Sequence, residues 1–411
     1  MSLIVMKFGG TSVATPQHMQ RVADRLIARH EAGDEVVCVV SAMGKVTDEL
    51  VELAHQISEH PAEREMDMLL TTGEQVSIAL LAMAVQARGA DAVSFTGPQV
   101  GIMTSANFSK AQILAIDAGC VRDALDEGKI VIVAGFQGRT PDGQITTLGR
   151  GGSDTTAVAL AAGLGADICE INSDVAGVFT ADPRIVPSAR LIERIGYDEM
   201  LEMASSGAGV LSMRSVEAAR NHQVVIHCRS SFDDGPGTIV KEQDPSMEQA
   251  IVSGVTFDTS EVKFTIRAVP DQAGVAARVF SRLADHDINL DMIIQNVSED
   301  GATDISFTAP AVELDAATAA VREAVAEIGA REWIVDEKIA KISIVGAGMK
   351  THPRVSARMF SALASAGINI DLISTSPIRL SCVVAQEEFE EAVRVLHTEF
   401  GLDGPATDEG E

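Results

Sequence analysis

Aromatic side chains are scarce in this chain of 411 residues: they make up 4% of it, with one Trp and one Tyr. The core is therefore left to Ala, Val, Ile, Leu and Met, which carry the hydrophobic share to 46%, while 34 glycines allow close backbone approaches. That composition favours layered α/β structure over a β-sandwich. Cysteine is sparse as well. Cys38, Cys120, Cys169, Cys228 and Cys382 lie far apart with no CxxC pair, which excludes a disulfide framework and predicts reduced thiols in a cytoplasmic protein. Basic residues number 32 against 59 acidic ones, and a net charge of −27 repels phosphate backbones and anionic membranes, so neither nucleic acid nor lipid is expected as a partner. The nine histidines show no HxH or HExxH spacing, so no histidine metal site is predicted. The N-terminal MSLIVMKFGG leads straight into a strand, with no signal peptide or membrane span expected.

Short apolar, β-branched runs at 3–8, 35–40, 92–96, 129–134, 167–171 and 224–229 alternate with Ala-rich stretches of helical spacing. The alternation predicts an α/β domain over 1–232, a mostly parallel sheet sandwiched by helices. SSFDDGPGTIVKEQDPS has the composition of a boundary, and 233–250 is read as a linker. Beyond it, ARVFSRLADHDINLDMI at 277–293 aligns without gaps on ARMFSALASAGINIDLI at 357–373, with ten of seventeen positions identical. Strand-like runs flank each copy, which predicts two βαββαβ-like α+β modules at 251–333 and 334–402, then a disordered acidic tail at 403–411.

Four segments can carry chemistry. In KFGGTSV (7–13), Gly9 and Gly10 let the backbone approach an anion and Lys7 adds a point charge, although a plain strand-to-helix turn would look alike. In TTLGRGGSDTTA (146–157), glycines surround Arg150, and Ser153 or Asp154 is expected to cap a helix, putting amides, a guanidinium and a carboxylate together. NSDVAGVFTADPR (172–184) follows a strand end, where α/β sheets bind ligands. In TTGEQ (71–75), Glu74 opens an apolar helix and reads equally well as a partner of its dipole.

In this order, with VSAMGKVTDEL at 40–50 and the paired modules behind them, these motifs resemble the aspartate kinases of the amino-acid kinase superfamily over nearly the whole chain. The resemblance implies transfer of a phosphoryl group from ATP, with Mg accompanying the nucleotide, to the side-chain carboxylate of L-aspartate. The product, 4-phospho-L-aspartate, leads toward lysine, threonine and methionine. It also implies that the repeats are ACT domains taking lysine and/or threonine as effectors. Carried over residue by residue, Lys7, Arg150 and Asp154 would be catalytic. Ser41, Thr47, Glu74, Arg150, Gly151, Gly152 and Ser153 would hold aspartate. The nucleotide would meet Lys7, Phe8, Gly9, Gly10, Ser12, Ser173, Asp174, Phe179, Asp182 and Arg184, with no protein cluster dedicated to the metal. Effectors would meet Asp271, Gly274, Val275, Ala276, Asn289, Asp291 and Gln295 in the first module and Val355, Asn369, Ile370 and Ser376 in the second. A homo-oligomer is implied, or an α2β2 assembly with a short form starting near Met247.

The chain also departs from the pattern. Gly209 stands where the family carries a lysine near the phosphates, Asn172 replaces an aromatic residue, and Arg354 and Pro377 replace a glycine and a glutamate in the second module. These departures predict a weaker nucleotide side and altered feedback. They leave open a pathway-specialised paralogue or a weakly catalytic amino-acid sensor.

Overall fold

A computed structural model describes residues 2–243, 251–296 and 301–403. The chain divides into two units, Met1–Phe179 with Leu191–Met247 and Thr180–Arg190 with Glu248–Glu411.

The first unit runs β1 (Leu3–Phe8), α1 (Pro16–Glu31), β2 (Glu35–Val40), α2 (Val46–Ile57), α3 (Glu63–Gln86), β3 (Ala92–Phe95), α4 (Gly97–Val100), β4 (Ile102–Thr104), β5 (Ile113–Ile116), α5 (Gly119–Asp126), β6 (Ile130–Ala134), β7 (Gln137–Arg139) and β8 (Ile145–Thr147). It continues through α6 (Gly152–Leu164), β9 (Ile168–Ser173), β10 (Arg194–Gly196), α7 (Tyr197–Ser205), α8 (Met213–His222), β11 (Ile226–Ser230) and β12 (Thr238–Lys241). Eight strands form one sheet in the order β10-β12-β11-β9-β1-β2-β6-β3, parallel except at β11–β12, as the apolar runs predict. A smaller sheet has the order β5-β4-β7-β8. β12 lies inside the stretch read as a linker. Its pairing with β10 and β11 makes 238–241 part of the first unit, because alternation in only four residues is too weak to betray a strand.

β1 occupies the middle of the large sheet and is wholly buried. Its period-2 alternation sends Ile4, Met6 and Phe8 into a core shared with Met19, Val22 and Leu26 of α1 and Ile78, Leu81 and Val85 of α3. Val5 and Lys7 therefore face the opposite side, toward α6. The chain visits β2, β3 and β6 on one flank of β1 and then β9 to β12 on the other, so the crevice at the β1–β9 carboxyl ends is a topological switch point. α1 opens where Thr15 Oγ1 accepts the His18 amide (3.2 Å) and Pro16 fills the first helical position. α3, with 24 residues, is long and apolar enough to cross a bilayer, yet half of its apolar stretch is buried inside the unit. All five cysteines are free, and Cys120 is only partly buried.

The second unit comprises β13 (Gly254–Asp258), β14 (Glu261–Pro270), α9 (Val275–Asp285), β15 (Ile293–Gln295), β16 (Ala302–Pro310), α10 (Leu314–Ile328), β17 (Glu332–Asp336), β18 (Ile339–Val345), α11 (Val355–Ser365), β19 (Leu372–Thr375), β20 (Arg379–Ala385) and α12 (Phe389–Glu399). Two antiparallel sheets result, β15-β16-β14-β17 and β13-β18-β20-β19. The repeat boundaries need correction. β17 crosses position 333 to pair with β14, and β13, placed by sequence in the first module, is the edge strand of the second. Sequence identity marks the central helix of each copy but carries no record of which sheet takes an edge strand. Thr180–Arg190 joins this unit because the Val255 amide donates to Thr180 O (2.7 Å) and Thr180 Oγ1 pairs with the buried His397 Nε2 (2.9 Å), while Ala181 and Val186 enter the core. Asp403, expected in the disordered tail, bonds His397 Nδ1 at 3.0 Å; 404–411 lie outside the described residues.

Candidate active site

The alternation of β1 delivers Lys7 to the first turn of α6, where its Nζ lies 2.6 Å from Asp154 Oδ1. Both side chains are about nine-tenths buried. Lys7 thus stands in β1, within the strand-like run at 3–8. The helix start also differs from expectation. Gly151, at φ 72°, is the N-cap, and no side chain caps the helix, so Ser153 and Asp154 fall inside its first turn. Only glycine enters that left-handed conformation without strain, which frees Asp154 for the lysine and sets a carboxylate in the positive end of the helix dipole.

Around this ion pair a pocket of about 250 Å3 is lined by Lys7, Ser41, Thr47, Glu74, Phe136, Gly149, Arg150, Gly151, Gly152, Ser153 and Asp154. Every residue that the family pattern assigns to aspartate lines it. Glu74 is buried on α3. Its Oε1 accepts the Ala42 amide (3.1 Å), whereas Oε2 is buried and has no hydrogen-bond partner among the described residues. Burial pushes the Glu74 pKa up to about 7, against the pull of that backbone bond. The pocket thus offers a guanidinium, an ammonium and a carboxylate with an unused acceptor, a set that matches a small zwitterionic acid. Phe136, at φ 71°, was not singled out from the sequence, where the GF pair after β6 was its only local signal; Gly149 is one of the glycines read around Arg150.

The residues expected at the nucleotide are more dispersed. Gly10 approaches the chain so closely that a Cβ would lie 2.9 Å from Ala42 O. The Gly9 amide is already committed to Asn172 O (3.2 Å), which removes it from the donors expected to line an anion. Phe8 is corrected in the same way. Its ring is fully buried in the core and its carbonyl accepts the Ser41 amide (3.2 Å), so no side-chain contact with a nucleotide is open to it. Ser12 Oγ pairs with Ser231 Oγ (2.6 Å), Ser173 ends β9, Asp174 follows it, and Phe179 bridges to Leu191. Asp182 and Arg184 belong to the second unit, where the guanidinium chelates the carboxylate at 2.6–3.1 Å and holds its pKa below the usual range. Asn172 is buried at the β1–β9 junction and donates to Lys7 O (3.3 Å).

The residues expected to meet effectors lie at corresponding places in the two modules of the second unit. Gly274 caps α9 at φ 90°, whereas Arg354, its counterpart before α11, takes φ −84° because a side chain disfavours the left-handed region. Val275 and Val355 are buried in the module cores, so only their main chains remain for an effector. The Asp291 carboxylate is bound by Lys341 of β18, which also holds Glu261. Pro377 lies in the β19–β20 turn, which the Ser376 amide closes onto Arg379 O (2.8 Å), so the proline costs no ladder bond.

The amino acid kinase family model matches residues 2–230, and ACT domain models match 264–326 and 342–400. The aspartokinase of Mycolicibacterium smegmatis is 53% identical over 409 residues, covering 98% of this chain and 97% of its own. The aspartate kinase of Pseudomonas putida is 52% identical over 99% of both. Among solved structures, E. coli aspartokinase III in complex with aspartate and ADP matches 97% of this chain and 99% of its own, with a TM-score of 0.81 at 27% identity. The same enzyme in complex with lysine and aspartate matches at a TM-score of 0.74, with the same identity and coverage. A catalytic unit and two effector modules in this order, alike along their whole length to known aspartokinases, make the chain a member of the aspartokinase family.

Proposed function

We propose that the chain is an ATP-dependent aspartate kinase under amino-acid feedback, and that the pocket beside Lys7 is its aspartate site. The buried Oε2 of Glu74, without a partner among the described residues, in a pocket that Arg150 also lines carries this reading: the two groups suit the α-ammonium and α-carboxylate of one amino acid. Arg150 takes the α-carboxylate through its planar fork, Glu74 takes the ammonium, and Ser41 and Thr47 flank the side chain.

The acceptor carboxylate is already ionised at neutral pH, so the reaction needs no general base. One of its oxygens bonds to the γ-phosphorus as the bridging oxygen leaves with ADP. What the protein supplies is alignment and compensation of charge. Lys7 stabilises the charge on the transferring group, and Asp154 fixes the lysine and orients the substrate side. Mg, brought with the nucleotide, would supply further charge neutralisation. The nucleotide assignment of Gly10, Ser12, Ser173, Asp174 and Phe179 belongs to this reading, and the complex of E. coli aspartokinase III with ADP supports nucleotide binding by the family. So do lysine or threonine as effectors, a cytoplasmic location and a homo-oligomer. In an α2β2 assembly the short form would start near Met247, which lies outside the described residues.

A panel of acceptors tests the proposal through ADP release. Aspartate is expected to be turned over, while N-acetylaspartate and succinate, which lack the free ammonium, are expected to fail. Equal rates for aspartate and succinate would contradict it.

A further inference from the structure

Asp67 is a fully buried carboxylate that phosphoryl transfer does not use. It sits on α3 seven residues before Glu74, hence two turns away on the same helix face. Its Oδ2 accepts the amides of Thr147 (2.8 Å) and Ser109 (3.0 Å), and its Oδ1 accepts the Thr147 hydroxyl (2.7 Å) and shares the Ser109 amide. Thr147 ends β8, three residues before Arg150. Ser109 is itself held at a left-handed φ of 64°, with its carbonyl so close to Gly149 that a Cβ there would lie 2.9 Å away.

One buried charge thus ties the helix bearing Glu74 to the loop bearing Arg150. Gln137 Nε2 adds a second tie by donating to Thr71 O (3.2 Å), between Asp67 and Glu74 on that face. A buried carboxylate is unfavourable unless its acceptor sites are filled, and here neutral donors from two separate segments fill them. Asparagine could accept only half of these bonds and would turn a donor toward the amides.

We propose that Asp67 is a positioning residue that sets the separation between Glu74 and Arg150, and so selects acceptors carrying an ammonium and a carboxylate on one carbon. The inference rests on the aspartate reading of the pocket. Misplacement of a clamp by a fraction of an ångström is felt in binding before chemistry.

The test is steady-state kinetics on the full chain, comparing wild type, Asp67→Asn, Thr147→Val and Arg150→Ala. Asp67→Asn is expected to raise KM for aspartate about tenfold or more, to leave KM for ATP within about twofold, and to shrink the preference for aspartate over succinate. Thr147→Val, which loses the hydroxyl but keeps the amide, should show a smaller shift in the same direction. A folded Asp67→Asn with wild-type KM for aspartate, alongside an impaired Arg150→Ala, overturns the positioning role while sparing the site. Where Asp67→Asn fails to fold, an unchanged KM in Thr147→Val overturns it. A wild-type chain that does not use aspartate overturns the reading beneath it.

Discussion

The ammonium of Lys7 meets the carboxylate of Asp154 at 2.6 Å, joining the central strand of the first unit to the first turn of α6. Neither group is solvated well enough to be left alone. Lys7→Ala is therefore expected to lower kcat by roughly 10²- to 10³-fold. It should also destabilise the fold by on the order of 3 kcal/mol, because Asp154 is left buried without its partner. Adding Asp154→Asn should restore most of the stability and none of the activity. Urea melts and a coupled ADP assay on the three proteins check this; a double variant as unstable as Lys7→Ala would contradict it.

Glu74 links substrate binding to pH. Its folded pKa of about 7 lies above the ordinary glutamate value of 4.5, so between those values the native state holds a proton that the unfolded chain has released. The stability from that proton is fully present below about 4.5 and is lost as pH rises through about 7. Ionised Glu74 is the form that takes an ammonium, so KM for aspartate should fall as pH rises through neutrality and then level off. Glu74→Gln should flatten that profile and raise KM, yet gain roughly 2–3 kcal/mol of stability at pH 8. A Gln variant that keeps the wild-type pH profile would sink the assignment.

Gly209 lies between α7 and α8, and a Cβ added there meets nothing within 4 Å among the described residues. Gly209→Lys is accordingly expected to fold as the parent does and to lower KM for ATP by about five- to tenfold, the worth of one charge-assisted hydrogen bond. KM for aspartate should not move. Nucleotide titrations of both proteins decide it, and an unchanged KM for ATP would remove the lysine position from the nucleotide site.

The two effector loops are not equivalent, since Gly274 is left-handed and Arg354 is not. Inhibition by lysine or threonine is expected to act through the first module, without full concerted inhibition by the two together. Gly274→Ala places a side chain at φ 90°, a strain of about 1–2 kcal/mol, and should raise the half-inhibitory effector concentration roughly five- to thirtyfold. Concerted inhibition to completion would contradict the asymmetry.

What the sequence made legible is local. KFGG and GRGGSD announce themselves because glycines and charges a few residues apart fix where backbone and cation meet, and the β-branched runs disclose the parallel sheet. Asp67 was invisible because its partners are 42 and 80 residues away. The same holds for β13, whose ladder partner β18 lies beyond the whole first module. Lys7 falls in the strand-like run at 3–8, but its burial there is compensated by Asp154, and a partner 147 residues distant leaves no trace in spacing.

Phosphorylation of an aspartate carboxylate in the pocket beside Lys7 leaves a product that can be trapped: incubating the full chain with aspartate, MgATP and hydroxylamine converts an acyl phosphate to the hydroxamate. Aspartyl hydroxamate is expected in proportion to ADP, dependent on aspartate and lost in Arg150→Ala. ADP release without hydroxamate, or hydroxamate undiminished in that variant, would contradict it.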